Sequence, residues 1–120
     1  MNSPTTRRVL VVEDEALIAS MIVGWLEEMG CEAVGPAFRI ADGLRLAETE
    51  LLDAAVLDVN VNSEQVYPLA EYLRGRGIPL VFATGYGERI AEAAHTSPVL
   101  EKPFTFDQLT DALAVAFRSA

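Results

Sequence analysis

Short extended segments alternate with stretches of helical periodicity along the whole chain. The candidate strands cover residues 9–12, 32–37, 54–58, 80–83 and 99–101, and most of them are apolar and rich in β-branched residues. Such runs are typical of parallel strands that are buried on both faces. Because a helical stretch follows each strand, the pattern predicts an α/β fold with a doubly wound, five-stranded parallel sheet.

The helical stretches carry apolar residues every three or four positions. The inner positions predicted for the first two helices are Leu17, Ile18, Met21, Ile22, Trp25, Leu26 and Met29, and then Ile40, Leu44, Ala47 and Leu51. Those of the third and last helices are Val66, Leu69, Ala70 and Leu73, and then Leu109, Leu113, Ala116 and Phe117. A short fourth helix is predicted over 89–94 and a loop over 59–64. Thr105 and Gln108 form a capping-box pattern where the last helix opens.

Charge and composition exclude several classes of protein. The chain has 18 acidic and 9 basic side chains and a net charge of -9, so a nucleic-acid backbone would be repelled. With 120 residues, 51% of them hydrophobic, we expect a single domain over residues 1–120. Four apolar residues before Glu13 are too few for a signal peptide or a membrane span. Cys31, the single cysteine, excludes an internal disulfide, and a cytoplasmic location without membrane contact is expected.

Three acidic residues follow or end two of the predicted strands. Glu13 and Asp14 come directly after the first strand, and Asp58 ends the third. In a parallel sheet these carboxyl ends meet at one edge, so all three carboxylates are expected to lie together. Crowded carboxylates repel one another unless a hard cation neutralises them. The sequence therefore predicts a site for Mg²⁺, or for Mn²⁺ in its place.

Other polar residues end the remaining strands at the same edge. Asp58 could accept a phosphoryl group on its carboxylate as an acyl phosphate, with the backbone carbonyl of Asn60 as a further metal ligand. Thr84 and Lys102 would contact the phosphoryl oxygens from the other side. Gly85 leaves room for in-line approach, so we expect larger side chains there to slow the reaction. The Lys102-Pro103 bond could be cis or trans.

This order of motifs resembles a response regulator receiver domain over essentially the whole chain. The resemblance implies a flavodoxin-like (βα)5 fold with strand order 2-1-3-4-5. It also implies roles: Asp58 as phosphoacceptor, Glu13 and Asp14 as metal-binding acids, Thr84 as switch hydroxyl and Lys102 as phosphate-contacting lysine. A histidine kinase or a histidine phosphotransfer protein would be the phosphoryl donor.

The segment from 79 to 87 looks like the motif of the FATGUY group of single-domain regulators, which are associated with stress signalling. One position departs from the receiver pattern, because Val99 stands three residues before Lys102, where receivers usually carry Tyr or Phe. The usual aromatic switch is therefore absent. Tyr86, two residues after Thr84, is hypothesised to move instead.

We therefore expect a single-domain response regulator without an output domain, which signals to a downstream protein through its fourth helix, fifth strand and fifth helix. It would not be a conventional enzyme, although slow loss of its own phosphoryl group is expected. One alternative is a binding module with this fold that acts without phosphorylation. A second is an aspartate-nucleophile phosphatase, which would need an acid two residues after the nucleophile, where Asn60 stands.

Overall fold

The computed structural model describes residues 6–85 and 96–118. In chain order, the elements within these residues are β1 (Arg8–Val12), α1 (Ala16–Glu28), β2 (Glu32–Ala37), α2 (Ile40–Thr49), β3 (Ala54–Asp58), β4 (Asn60–Val61), β5 (Glu64–Gln65), α3 (Tyr67–Gly75), β6 (Leu80–Thr84), β7 (Val99–Glu101) and α4 (Phe106–Arg118). The helix expected over 89–94 lies outside the described residues.

Five of the described strands form one parallel sheet in the order β2-β1-β3-β6-β7. Since β6 and β7 are the fourth and fifth strands of this sheet along the chain, the predicted order 2-1-3-4-5 is confirmed. Every residue of β3 and β6 is buried, as expected for apolar central strands covered on both faces.

The register of the sheet brings the acidic residues together. Val12 aligns with Leu57, so Glu13 and Asp58 leave two adjacent strands at the same height. The pairing of β3 with β6 places Thr84 one position beyond the level of Asp58. The carboxyl ends of the three central strands therefore present polar side chains at one edge, as the sequence predicts.

Helices cover both faces of the sheet, and each face has its own core. On one face, buried residues of α2 and α3 pack against Leu10, Val12 and Phe82. On the other face, buried residues of α1 and α4 pack against Val9 and Val11. The doubly wound arrangement is thus confirmed. Within residues 6–85 and 96–118, none of the helices has the length and apolar content of a membrane span.

Two inner positions predicted for the helices are wrong. Leu17 is 88% exposed because it lies in the first turn of α1, where the helix has only begun to pass over the sheet. Leu51 is 81% exposed because α2 ends at Thr49, before the predicted stripe is complete.

The buried positions of α2 include Gly43, where an added Cβ would approach a methyl group of Val12 to 3.0 Å. The close packing of α2 against the sheet therefore depends on glycine at position 43.

The loop predicted after β3 is instead a β-hairpin made of β4 and β5. The cause is a period-two pattern, because Val59 and Val61 are buried while Asn60 between them is exposed. The turn residues Asn62 and Ser63 have φ values of +53° and +68°. Positive φ at both central residues is what a two-residue hairpin turn of type I′ requires, and asparagine tolerates it better than most residues.

The predicted start of the last helix is confirmed in atomic detail. The backbone N–H of Gln108 donates to Oγ1 of Thr105 at 3.1 Å, and the backbone N–H of Thr105 donates to Oε1 of Gln108 at 2.8 Å. This reciprocal pair satisfies two amide groups that would otherwise lack a partner at the helix start. It fixes the direction in which α4 leaves the segment that follows β7.

Candidate functional site

The three acids predicted from the sequence form one cluster. Carboxylate oxygens of Glu13, Asp14 and Asp58 lie within 4.8 Å of one another. Glu13 is 1% exposed and Asp58 is 4% exposed, whereas Asp14 is partly exposed at the rim. Two of the carboxylates have therefore been largely removed from water, and their mutual repulsion is weakly screened.

Asp58 shows the electrostatic consequence of this crowding. Burial, and then the hydrogen bond and charge of Glu13, raise the pKa of Asp58 to about 8, from an ordinary value of 3.8. The charge of Lys102 and the amide of Asn60 lower the pKa of Asp58, but by less than burial and Glu13 raise it. Burial and the neighbouring carboxylate therefore disfavour the ionised form of Asp58, and additional positive charge would favour it.

Asp14 is held by a contact that the sequence did not predict. The backbone N–H of Asn62, at the tip of the β4–β5 hairpin, donates to Oδ2 of Asp14 at 2.7 Å. Partial burial alone would raise the pKa of Asp14, but this amide and the hydrogen bonds to Glu13 and Asp58 outweigh it and lower the pKa. The hairpin pattern was visible in the alternation of valine and asparagine after β3, but its contact with Asp14 was not.

Lys102 supplies the positive charge of the site. Its Nζ lies 2.6 Å from Oε1 of Glu13, 3.4 Å from Oδ2 of Asp58 and 3.9 Å from Oε1 of Glu15. Burial by itself would lower the pKa of Lys102, but Glu13 and then Asp58 raise it above its ordinary value. The side chain is therefore a charged ammonium group that partly neutralises the acid cluster.

The backbone places that lysine at the correct edge. The Lys102-Pro103 bond is cis, which settles the alternative that the sequence left open. The backbone N–H of Lys102 donates to the carbonyl oxygen of Thr84 at 2.8 Å, so β7 and β6 end side by side. Thr84 is 5% exposed, and its hydroxyl makes a long contact of 3.4 Å with the carbonyl oxygen of Gly85. This contact is longer than a typical hydrogen bond between oxygen atoms.

A groove of about 430 Å³ opens beside the cluster. Its walls combine apolar and charged groups, and its lining residues are Glu15, Ile18, Met21, Gly85, Lys102, Pro103 and Phe104. Since Lys102 belongs both to this lining and to the contacts of Asp58, the groove adjoins the acid cluster. Gly85 contributes no side chain to the lining, in keeping with the open approach expected from the sequence.

A comparison with protein families agrees with this geometry. The family model described as the response regulator receiver domain matches residues 9–114. The chain belongs to the response regulator receiver family. Receiver domains are phosphorylated by histidine kinases or phosphotransfer proteins and generally bind Mg²⁺ at an acidic pocket.

Individual relatives agree with this family. The transcriptional regulatory protein PdtaR of Mycobacterium tuberculosis is 33% identical over 128 aligned positions, which cover 97% of this chain and 62% of PdtaR. This receiver thus spans less than two thirds of that relative. The solution structure of SdrG from Sphingomonas melonis is 40% identical, covers 95% of this chain and 98% of that chain, and has a TM-score of 0.87. The BeF3-activated conformation of SdrG, attributed to Pseudomonas melonis, is 38% identical, covers 94% and 98% respectively, and has a TM-score of 0.78.

The remaining predicted site residues of the receiver are less closely associated with the cluster. The backbone N–H of Asn60 donates to Oδ1 of Asp58 at 3.4 Å, and the Asn60 side chain is exposed. Val99 is partly buried and aligns with Phe82 in β6, on the sheet face that packs against α2 and α3. Tyr86 lies outside the described residues.

The donor set fits a hard divalent cation. Mg²⁺ prefers oxygen ligands and usually keeps several waters, so one to three carboxylates are sufficient protein ligands. Glu13, Asp14 and Asp58 offer carboxylate oxygens close enough to share one ion, and burial and the neighbouring Glu13 both raise the pKa of Asp58. The residues of this receiver that could hold the ion are therefore these three acids.

Proposed function

We propose that this receiver accepts a phosphoryl group on Asp58 from the phosphohistidine of a histidine kinase or a histidine phosphotransfer protein. The reaction would depend on Mg²⁺ or Mn²⁺, and the phosphorylated form would signal by contact with another protein. The proposal rests mainly on one observation: three carboxylates lie within 4.8 Å of one another, with the Lys102 ammonium 3.4 Å from Asp58. A buried aspartate that lies between a lysine ammonium and a bound metal ion is suited to phosphoryl transfer.

The chemical step uses an oxygen of Asp58 as nucleophile. A phosphorus–oxygen bond to this carboxylate forms as the phosphorus–nitrogen bond of the donor breaks, and the imidazole leaves with the electron pair of that bond. A bound divalent cation supplies charge that favours ionised Asp58 and neutralises phosphoryl oxygens. Glu13, Asp14 and Asp58 would hold it, with the Asn60 carbonyl as a further oxygen ligand.

Lys102 and Thr84 would stabilise the phosphoryl group on the other side. The Lys102 ammonium is already 3.4 Å from Oδ2 of Asp58, so a phosphoryl oxygen bound there comes within its reach. The Thr84 hydroxyl could leave its long contact with Gly85 to donate to a phosphoryl oxygen. Water attack on the acyl phosphate would return the receiver slowly to its starting state, so the signal is transient.

We further propose that the receiver belongs to the FATGUY group of regulators. The support for this proposal is the segment from 79 to 87, which looks like the motif of that group. The signalling surface would include β7 and α4, which are the fifth strand and the fifth helix of the sequence analysis. A role in stress signalling remains a prediction from the motif.

The experiment that tests this function is intact-mass spectrometry after incubation with a small phosphodonor. We expect one phosphoryl adduct with Mg²⁺ and none with excess chelator or in Asp58→Asn. Asp53→Asn is the matched control, because Asp53 precedes the same strand and its carboxylate accepts the Arg8 amide at 2.8 Å, far from the cluster. An adduct that survives complete chelation, or that persists in Asp58→Asn, would contradict the proposal.

A second candidate function is a receiver-fold binding module that acts without phosphorylation. The observation in its favour is Val99, which supplies no aromatic ring to switch when Thr84 moves. The two candidates differ in cells: Asp58→Asn should abolish signalling by a phosphoacceptor and leave a phosphorylation-independent module active. Unchanged cellular function of Asp58→Asn would therefore favour the binding module.

A further inference from the structure

One short segment connects the proposed phosphoacceptor to another acid of the cluster. The β4–β5 hairpin begins two residues after Asp58, and its tip consists of Asn62 and Ser63. The backbone N–H of Asn62 donates to Oδ2 of Asp14 across a sequence separation of 48 residues. The hairpin thus reaches from the end of β3 to the loop that follows β1.

The base of the hairpin is anchored in the core. Val61 and Val66 are both 0% exposed. The backbone N–H of Val66 donates to the carbonyl oxygen of Val59 at 2.9 Å, and the N–H of Val59 donates to the carbonyl oxygen of Ala83 at 2.9 Å. Because the base cannot shift without disturbing the core, the position of the tip is well determined.

The turn leaves backbone amides at the tip without ladder partners. In a two-residue hairpin turn, neither central N–H has a partner inside the hairpin ladder, and this includes the N–H of the first central residue. In this chain that residue is Asn62, and its N–H meets the carboxylate of Asp14 at 2.7 Å. A charge-assisted bond of this kind is stronger than one between neutral groups. It engages Oδ2 of Asp14 from outside the cluster, and the rest of the carboxylate faces Glu13 and Asp58, with which Asp14 shares hydrogen bonds.

We propose that Asn62 is a positioning residue for the divalent cation, because its backbone amide holds the Asp14 carboxylate in the orientation that cation binding needs. The inference rests on the proposed function, since it takes Asp14 as a metal ligand. Ligating carboxylates are themselves commonly held by hydrogen bonds, and loss of such a bond typically lowers metal affinity about 10- to 100-fold. The hairpin after Asp58 would thus set the affinity of this receiver for Mg²⁺.

Asn62→Pro and Asn62→Gly form a matched pair of variants. Proline has no amide hydrogen and cannot adopt a φ of +53°, whereas glycine keeps the donor and accepts positive φ. Mg²⁺ affinity would be measured by calorimetry on the full chain, and thermal unfolding without Mg²⁺ would show whether each variant folds. We expect Asn62→Pro to bind Mg²⁺ at least about tenfold more weakly, and Asn62→Gly to stay within about threefold of the wild type.

Hydrogen exchange tests the same contact without requiring Asn62→Pro to fold. Asp14→Ala removes the acceptor, so we expect the Asn62 amide to exchange about tenfold faster in this variant. The Val66 amide, bonded inside the hairpin base, is the internal control and should not change. Unchanged exchange at Asn62 would contradict the inference, because the amide would then have no dependence on Asp14.

The outcomes separate this inference from the proposed function. If Asn62→Pro folds and binds Mg²⁺ as tightly as the wild type does, the positioning role is overturned and the proposed function stays intact. A wild type that binds no Mg²⁺ would overturn both. Weaker binding in a folded Asn62→Pro variant, with normal binding in Asn62→Gly and faster exchange of the Asn62 amide in Asp14→Ala, would support the positioning role.

Discussion

The Nζ atom of Lys102 lies 2.6 Å from Oε1 of Glu13, a side chain that is 1% exposed. Its distance to Oδ2 of Asp58 is longer, 3.4 Å. The ammonium therefore neutralises mainly the acid that is most deeply buried. A cation that binds the cluster would compete with Lys102 for Glu13. A phosphoryl group on Asp58 would compete with Glu13 for Lys102.

Lys102→Gln should destabilise the metal-free protein by about 3 kcal/mol, because Glu13 would be left buried without a cation. Denaturant unfolding without Mg²⁺ measures the effect. Arg45→Gln is the matched control, since Arg45 pairs with Asp42 in an exposed i,i+3 contact at 3.0 Å; a change below about 0.5 kcal/mol is expected there. Similar small losses in both variants would show that the Lys102 charge has no special role in stability.

The ammonium of Lys102 should remain charged up to high pH. The chain contains one lysine, so isotopic labelling of lysine side chains gives a single signal. Glu13 and Asp58 raise the pKa of Lys102 above its ordinary value of 10.5, so the contribution of this contact to stability is fully present below 10.5 and is lost as pH rises through the raised pKa. We expect no titration of the signal below about pH 10 in the metal-free protein. A midpoint near or below neutrality would contradict the assigned contacts.

Asp58→Asn should stabilise the metal-free protein in a pH-dependent manner. The pKa of Asp58 in the folded state, about 8, exceeds the ordinary value of 3.8. The folded state therefore binds this proton more tightly than the unfolded state, and stability falls as pH rises from about 4 to about 8. We expect the advantage of the variant to be absent near pH 4 and to grow by up to about 1.4 kcal/mol per pH unit as the pH rises toward 8. Asp53→Asn should not reproduce this trend, and an equal gain at both pH values would contradict the account.

Gly85→Val should slow phosphoryl transfer to Asp58 by about tenfold or more, because a side chain would enter the groove beside the cluster. The rate of adduct formation from a small phosphodonor measures this effect. Gly24→Ala is a control for the general effect of replacing glycine, since an added Cβ at Gly24 has no atom within 4 Å. Unchanged transfer in Gly85→Val would mean that the donor approaches by another route.

Tyr86→Ala should weaken the structural response to phosphorylation, because Val99 offers no aromatic ring to move. Amide chemical shifts of α4 with and without a phosphoryl mimic would measure this response. Tyr86→Phe is the conservative control and should preserve it if the ring rather than the hydroxyl is used. An undiminished response in Tyr86→Ala, together with unchanged partner affinity, would remove Tyr86 from the mechanism.

Within residues 6–85 and 96–118, periodicity was sufficient to predict the five-stranded sheet and the four helices that cover it. The central strands are apolar throughout, so their burial on both faces followed from the sequence, and with it the meeting of Glu13 and Asp58 at one edge. The inner positions predicted for Leu17 and Leu51 were wrong because periodicity does not reveal where a helix begins and ends relative to the sheet.

The finer contacts of the site depended on tertiary approach. A side-chain pattern carries no information on which backbone amide will meet a distant carboxylate, so the bond from Asn62 to Asp14 was not predicted. Sequence also grouped Lys102 with Asp58 through their expected roles. The structure shows that the closer partner of Lys102 is Glu13.

The measurement that tests the central claim most directly is the location of the phosphoryl group. Phosphorylation with Mg²⁺, followed by borohydride reduction of the acyl phosphate and peptide sequencing by mass spectrometry, converts a phosphorylated aspartate into homoserine. The account predicts homoserine at position 58 and unmodified aspartate at positions 14 and 53. Homoserine at another position, or none after a confirmed phosphoryl adduct, would contradict the assignment of Asp58 as the phosphoacceptor.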